Sequence, residues 1–126
     1  CKNPKYAYLY ARDVDNGPRE DTRQIACKNP EYAYFYALDI DKGPREDTRK
    51  AACEDPNCAY LYAMNIDKES RKDTRKAACK NPEYAYFYAK DIDKNFHEDT
   101  YNIVINTEYE EEYNKFVNNR MKEEII

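Results

Sequence analysis

Glycine is nearly missing: two residues, Gly17 and Gly43, in 126. A glycine-rich loop that could cradle phosphate is thereby excluded. There is no tryptophan, and one histidine, His97. Without CxxC spacing or clustered histidines, a zinc site has nothing to build on. Large aliphatics are sparse too, with only 18 Leu, Ile, Val and Phe residues in the chain. That fraction lies below the roughly 20% under which a highly charged chain usually stays unfolded. No apolar run approaches the roughly 20 residues of a membrane span. Charge of one sign is also lacking: 21 Lys and Arg stand against 25 Asp and Glu, net −4. Such a chain has no global field to hold polyphosphate, which speaks against generic nucleic-acid binding. The sequence opens at Cys1 with no basic and apolar leader, so it carries no readable address.

What is present opposes disorder. Fourteen tyrosines and abundant alanine supply apolar area, and the net charge is small for so many charges. The chain also repeats at an offset of 26: residues 1–26, 27–52, 53–78 and 79–104 are tandem copies, and 105–126 remain. Periods of this length mark stacked supersecondary units. Copies two and four share KNPEYAYFYA, whereas copies one and three carry Leu9 and Leu61 where the others have Phe35 and Phe87. A 52-residue double unit is therefore expected.

Each copy reads as two helices. The first starts at Asn3, Asn29, Asp55 or Asn81, a cap whose oxygen can accept backbone N–H groups, followed by Pro4, Pro30, Pro56 or Pro82 at the first helical position. It is expected to run to about Val14, Ile40, Ile66 and Ile92 and to end at a left-handed residue, for which Gly17 and Gly43 are suited. The second helix is expected to open with Pro18 or Pro44, with Glu20 and Asp21 in its first turn and Arg23 and Lys28 near its end, an order that suits the helix dipole.

On a helical wheel Ala7, Tyr10, Ala11 and Val14 form one stripe, repeated in every copy. This is the expected seam, closed by Tyr36, Tyr62 and Tyr88, whose hydroxyls need partners. Leu9 and Phe35 face the other way, as expected of a helix sandwiched between neighbours. The fold class predicted is all-α, an α-solenoid of helical hairpins. Residues 106–117 align with 81–92, but Glu110 and Asn114 replace two seam alanines, so the tail is expected to be a polar cap. The first copy has no such polar substitute, which predicts further copies before it or end-to-end contact there.

Several residues invite functional readings. Tyr8, Tyr34, Tyr60 and Tyr86 occur in every copy beside variable positions, including Arg12, and could form an exposed ridge that stacks bases or grips a peptide. The competing reading is that they cover the groove between helices. Arg19, Arg45 and Arg71, with Arg23, Arg49 and Arg75 a turn later, could form a binding row. Interleaved with Asp21, Asp47, Asp73 and Asp99, they read instead as a surface ion-pair lattice. Copy four has lost both arginines. Asp13-Val-Asp15 and its copies lack a calcium loop's ligand pattern and read as loop caps. Cys1, Cys27, Cys53 and Cys79 form a row too widely spaced for disulfides, expected as reduced, buried hydrophobes in a reducing, cytoplasmic compartment, while Cys58 substitutes for a tyrosine. No nucleophile and base share a plausible spacing, so catalytic, cofactor and metal residues are assigned to none.

The NPEYAYFYA and PREDTR blocks resemble short two-helix repeats rich in AYxYA from bacterial and bacteriophage proteins of unknown function. The likeness covers Cys1 to Val104 and implies a bacterial or phage source. Architecturally the array resembles TPR, Sel1 and HEAT solenoids with a shorter period. The function expected is a non-enzymatic scaffold that binds another protein or copies of itself through its first repeat, with no membrane and no small-molecule substrate. The alternatives are single-stranded nucleic-acid binding through the Tyr and Arg ridge, and a phage-encoded acidic inhibitor of a host protein.

Overall fold

The computed structural model describes residues 3–125, so Cys1 lies outside the described residues. Nine α-helices occur among them and no strand. Four hairpins repeat at 26 residues. They are α1 (Pro4–Tyr10) with α2 (Glu20–Ala26), α3 (Pro30–Tyr36) with α4 (Glu46–Ala52), α5 (Pro56–Tyr62) with α6 (Lys72–Ala78), and α7 (Pro82–Tyr88) with α8 (Glu98–Val104). A single helix, α9 (Glu110–Ile125), follows. Successive hairpins pack on one another, as in a helical solenoid.

The starts of the odd-numbered helices follow from their caps. Asn3 and Asn29 each accept two backbone N–H groups, Asp55 accepts from Cys58 and Asn81 from Glu83, with proline next in each case. The helix then widens into a π-helical turn, Ala11–Asp15 and its equivalents Ala37–Asp41, Ala63–Asp67 and Ala89–Asp93. Together they reach the expected length. The ending differs from expectation: the left-handed residues are Asn16, Lys42, Lys68 and Lys94, with φ between 54° and 56°, and no glycine has positive φ. A Cβ on Gly17 or Gly43 would meet nothing within 4 Å. Neither steric demand nor dihedral requires glycine there, which explains why copies three and four manage with Glu69 and Asn95.

The even-numbered helices begin later than expected. Pro18 and Pro44 precede the extended cap residues Arg19 and Arg45, and the first helical residues are Glu20 and Glu46. The cap backbone is held from outside its own hairpin. The Tyr36 hydroxyl accepts from the Arg19 N–H at 2.9 Å, and Tyr62 does the same for Arg45.

The alanine stripe is the core. Ala33, Ala37, Ala59, Ala63, Ala85 and Ala89 are fully buried, as are Tyr36, Tyr62 and Tyr88. Small residues let helices approach closely, and each ring fills the space left. Truncating such a ring would cost about 3–5 kcal/mol. In α9, Tyr113 takes the same place at 0% exposure, while Asn114 faces solvent and Glu110 is half-exposed. The tail thus repeats the inward contact and makes the outward side polar.

Candidate interaction surfaces

Each inner junction is built from the same polar set. The buried tyrosine of one hairpin reaches back to a threonine of the hairpin before it: Tyr36 to Thr22 at 2.8 Å, Tyr62 to Thr48 and Tyr88 to Thr74 at 2.7 Å. The threonine also donates to the cap carbonyl of its own helix, as Thr22 does to Arg19. A fully buried hydroxyl pair is thereby satisfied without water.

One residue further on stands a buried ion pair. Arg23 grips Asp41, Arg49 grips Asp67 and Arg75 grips Asp93, in each case from the second helix to the π-turn of the next hairpin. The contact is bidentate: Arg49 Nη2 donates to Asp67 Oδ1 at 2.6 Å and Nε to Oδ2 at 3.0 Å. The same guanidinium lies 5.7 Å from the Tyr62 ring centroid, with equivalent contacts at Tyr36 and Tyr88. Of the ion-pair lattice expected on the surface, the Arg23, Arg49 and Arg75 half is therefore buried and uses the Asp41, Asp67 and Asp93 series. These aspartates are junction acceptors, not loop caps.

The tyrosine ridge is a second correction. Tyr8 and Tyr34 are buried, Tyr60 and Tyr86 half-buried, because each reaches over its groove to the following hairpin. Tyr8 donates to Asp39, Tyr60 donates to Asp91 at 2.6 Å, and Tyr34 accepts from Asn65 at 2.9 Å. Tyr86 stacks on Tyr109 with centroids 6.2 Å apart. One helical wheel cannot separate a groove from a ridge when the neighbour's contribution is unseen.

Arg12, Arg19, Arg45 and Arg71 are exposed, as expected, but each faces a carboxylate nearby in sequence: Asp13, Asp21, Asp47 and Asp73 respectively. Exposed pairs of this kind contribute about 0–1 kcal/mol. They bring no row of unneutralised cations together. Cys27, Cys53 and Cys79 are half-buried and Cys58 is buried. Removal from water raises the first three thiols to about 11 and Cys58 to about 12. His97 caps α8, its Nδ1 accepting the Asp99 N–H at 3.1 Å. Among the described residues no three His, Cys, Asp or Glu side chains gather as a metal site, and no helix is long and apolar enough to cross a membrane.

The two ends of the stack differ. At the C-terminal end Tyr101 occupies the position of Arg75, and Asn118 in α9 occupies that of Asp93. Tyr101 lies 5.5 Å from Tyr113, covering the ring that a guanidinium covers elsewhere, and Tyr113 still bonds Thr100 at 2.7 Å. At the other end, no described residue covers the outer side of α1. Tyr10 is 48% and Val14 59% exposed, although Tyr36 and Ile40 at the same positions are buried. Asp15, equivalent to Asp41, has a buried Oδ2 with no hydrogen-bond partner, and its Oδ1 is 3.6 Å from the exposed Arg19. Asp13, equivalent to Asp39, turns to Arg12 instead. Nothing in the sequence pointed to the threonine and aspartate partners except their presence in every copy: Thr22, Thr48, Thr74 and Thr100 never vary. Comparison with family models, curated proteins and solved structures finds no match to this chain.

Proposed function

We propose that this protein is a non-enzymatic helical scaffold whose N-terminal face takes up a helical hairpin bearing a Thr-Arg pair. The observation that carries this reading is the state of Asp15. Its carboxylate is placed as Asp41, Asp67 and Asp93 are, yet it has no guanidinium to meet its buried oxygen. Beside it Tyr10 and Val14 expose the apolar area that the inner junctions bury. Three inner junctions supply the template for what fits: a threonine hydroxyl for Tyr10, an arginine for Asp15 and a small residue like Ala26 against the rings. Exposed apolar surface with an unsatisfied acceptor at its edge is the usual mark of an interaction site.

Copies of the same chain are a less suitable partner for this face. Arg23, Arg49 and Arg75 are all engaged, and the last hairpin has Tyr101 in place of arginine. Two such faces meeting head to head would bring two Asp15 carboxylates into one junction with no Thr-Arg pair between them. Nucleic-acid binding through Arg12, Arg19, Arg45 and Arg71 keeps the support of their exposure, but the tyrosines that were to stack bases are engaged between hairpins.

The test is a fusion in which residues 27–52 are duplicated ahead of residue 1, a join that matches the native one at Ala52 and Cys53. The melting temperature is expected to rise by several degrees, and Arg→Ala at the fused copy's Arg49-type position is expected to reverse most of the gain. An added unit that leaves the melting temperature unchanged and is trimmed away by protease overturns the reading. Light scattering on the unfused chain is expected to show a monomer, and a concentration-dependent dimer would favour self-stacking.

A further inference from the structure

The junctions are not all alike, and the odd one has an opening. Where α1 meets α3, the Tyr32 ring lies 6.1 Å from Tyr8 and 6.0 Å from Phe35. Where α5 meets α7, Tyr84 lies 6.1 Å from Tyr60 and 6.1 Å from Phe87. These two grooves are filled by the same three-ring cluster. Between α3 and α5 the corresponding residues are Tyr34, Cys58 and Leu61, so two of the three rings are missing. A solvent-open cavity of about 360 Å³ stands there, lined by Tyr34, Phe35, Cys58 and Leu61, with Glu31 and Asp55 among its polar wall residues.

We infer that this cavity is a recognition pocket for a tyrosyl side chain presented by a partner protein. The occupant follows from the two neighbouring grooves, where a tyrosine ring sits against the same kind of wall: a Tyr8-type ring on one side and a residue-35-type side chain on the other. An incoming ring would take the place that Tyr32 and Tyr84 hold in the other grooves, restoring one of the two missing rings with the tilted geometry those rings adopt against Tyr8 and Tyr60. Its phenolic hydroxyl would find carboxylate acceptors in Glu31 and Asp55. The volume is at the small end of ligand pockets, suited to one side chain and too small for most cofactors. One aromatic anchor in a pre-formed pocket is a common way for an interface to concentrate its binding energy. The pocket names the chemistry of a partner and so rests on the scaffold reading, but it lies away from the Asp15 face, and each can fail alone.

The probe is p-cresol, the tyrosine side chain as a free molecule, titrated into the full chain and followed by amide chemical shifts. Saturable shifts in the millimolar range, centred on Tyr34, Cys58 and Leu61, are expected. Cys58→Tyr should weaken binding at least tenfold while raising the melting temperature, since it supplies the missing ring in cis. Cys58→Phe, which fills the same space with a ring, should weaken it as well and serves if Cys58→Tyr does not fold. Absence of saturable shifts up to the solubility of p-cresol, or equal binding by the parent and the ring-restored variants, overturns the assignment. Neither outcome bears on the fusion experiment, which reads the other end of the molecule.

Discussion

Asp67→Ala and Asp15→Ala change the same residue at the same place in the repeat and are expected to have different consequences. Asp67 is 2% exposed and Arg49 9% exposed, and the two exchange a bidentate contact over the Tyr62 ring. Removing the carboxylate leaves a guanidinium buried without a counter-charge, a loss of about 3–5 kcal/mol. With a urea slope of about 2 kcal/mol/M for a chain of this size, the unfolding midpoint should fall by about 2 M. Asp15→Ala instead removes an acceptor that lacks a partner, along with a loose contact to an exposed arginine. Its stability should stay within about 0.5 kcal/mol of the parent, a midpoint shift of about 0.25 M, or rise.

Replacing both partners, Arg49→Met with Asp67→Leu, should recover most of the loss, because desolvation of the pair offsets much of its attraction. A stack that loses its middle junction can also unfold in two parts, so amide exchange in α3 and α5 should accompany the urea curves. Equal losses at positions 67 and 15 would refute the argument, for then the aspartate matters for its own turn and not for the hairpin before it.

Two further outcomes follow from the backbone and the thiols. Lys42→Gly should stabilise the chain by up to about 1 kcal/mol, since Lys42 sits at φ 56°, whereas Gly43→Ala should be neutral or slightly stabilising because its site is open and its φ is not positive; paired thermal melts check the order, and a loss with Gly43→Ala contradicts it. Burial raises the thiols of Cys27, Cys53 and Cys79 to about 11 from the ordinary value near 9, so the fold favours their neutral form. Their contribution is fully present below about pH 9 and is lost as pH rises towards 11, and buried Tyr62, Tyr88 and Tyr113, also raised by desolvation, push the same way. The melting temperature should therefore be level from neutrality to about pH 9 and then fall, and a curve that stays level to pH 11 is inconsistent with these burials.

What could be read beforehand was whatever a hairpin decides by itself. Asn-Pro at a helix start and the Ala7/Ala11 stripe depend on residues a few positions apart, and both were legible. The Leu and Phe alternation was legible too, and together with the separate change at Cys58 it leaves the grooves unequally filled. What escaped were contacts between hairpins. Tyr8 looked exposed because its own helix surrounds it with variable residues, while Asp39, 31 positions on, supplies its partner. Arg23 looked like half of a surface lattice because its acceptor, Asp41, lies 18 positions away in a turn. The invariance of Thr22, Asp15 and their copies was the available signal. It marked partners without saying which pairs they formed.

The ends of the array show what stopping a repeat demands. Each junction is a two-sided agreement, an arginine and threonine from one hairpin and an aspartate and tyrosine from the next. At the junction with α9 both sides of that agreement differ from the inner ones. Asn118 replaces the aspartate, and Tyr101 replaces the arginine that would otherwise be buried with nothing to neutralise it. The hydroxyl contact, which carries no net charge, is retained between Thr100 and Tyr113. So copy four's missing arginine, puzzling as a lapse in a surface pattern, is what burial next to an uncharged cap requires. The Asp15 face shows neither difference: its aspartate, tyrosine and valine are those of an inner junction. A carboxylate left without a guanidinium costs stability, and a Thr-Arg hairpin seated there, as proposed above, would recover it.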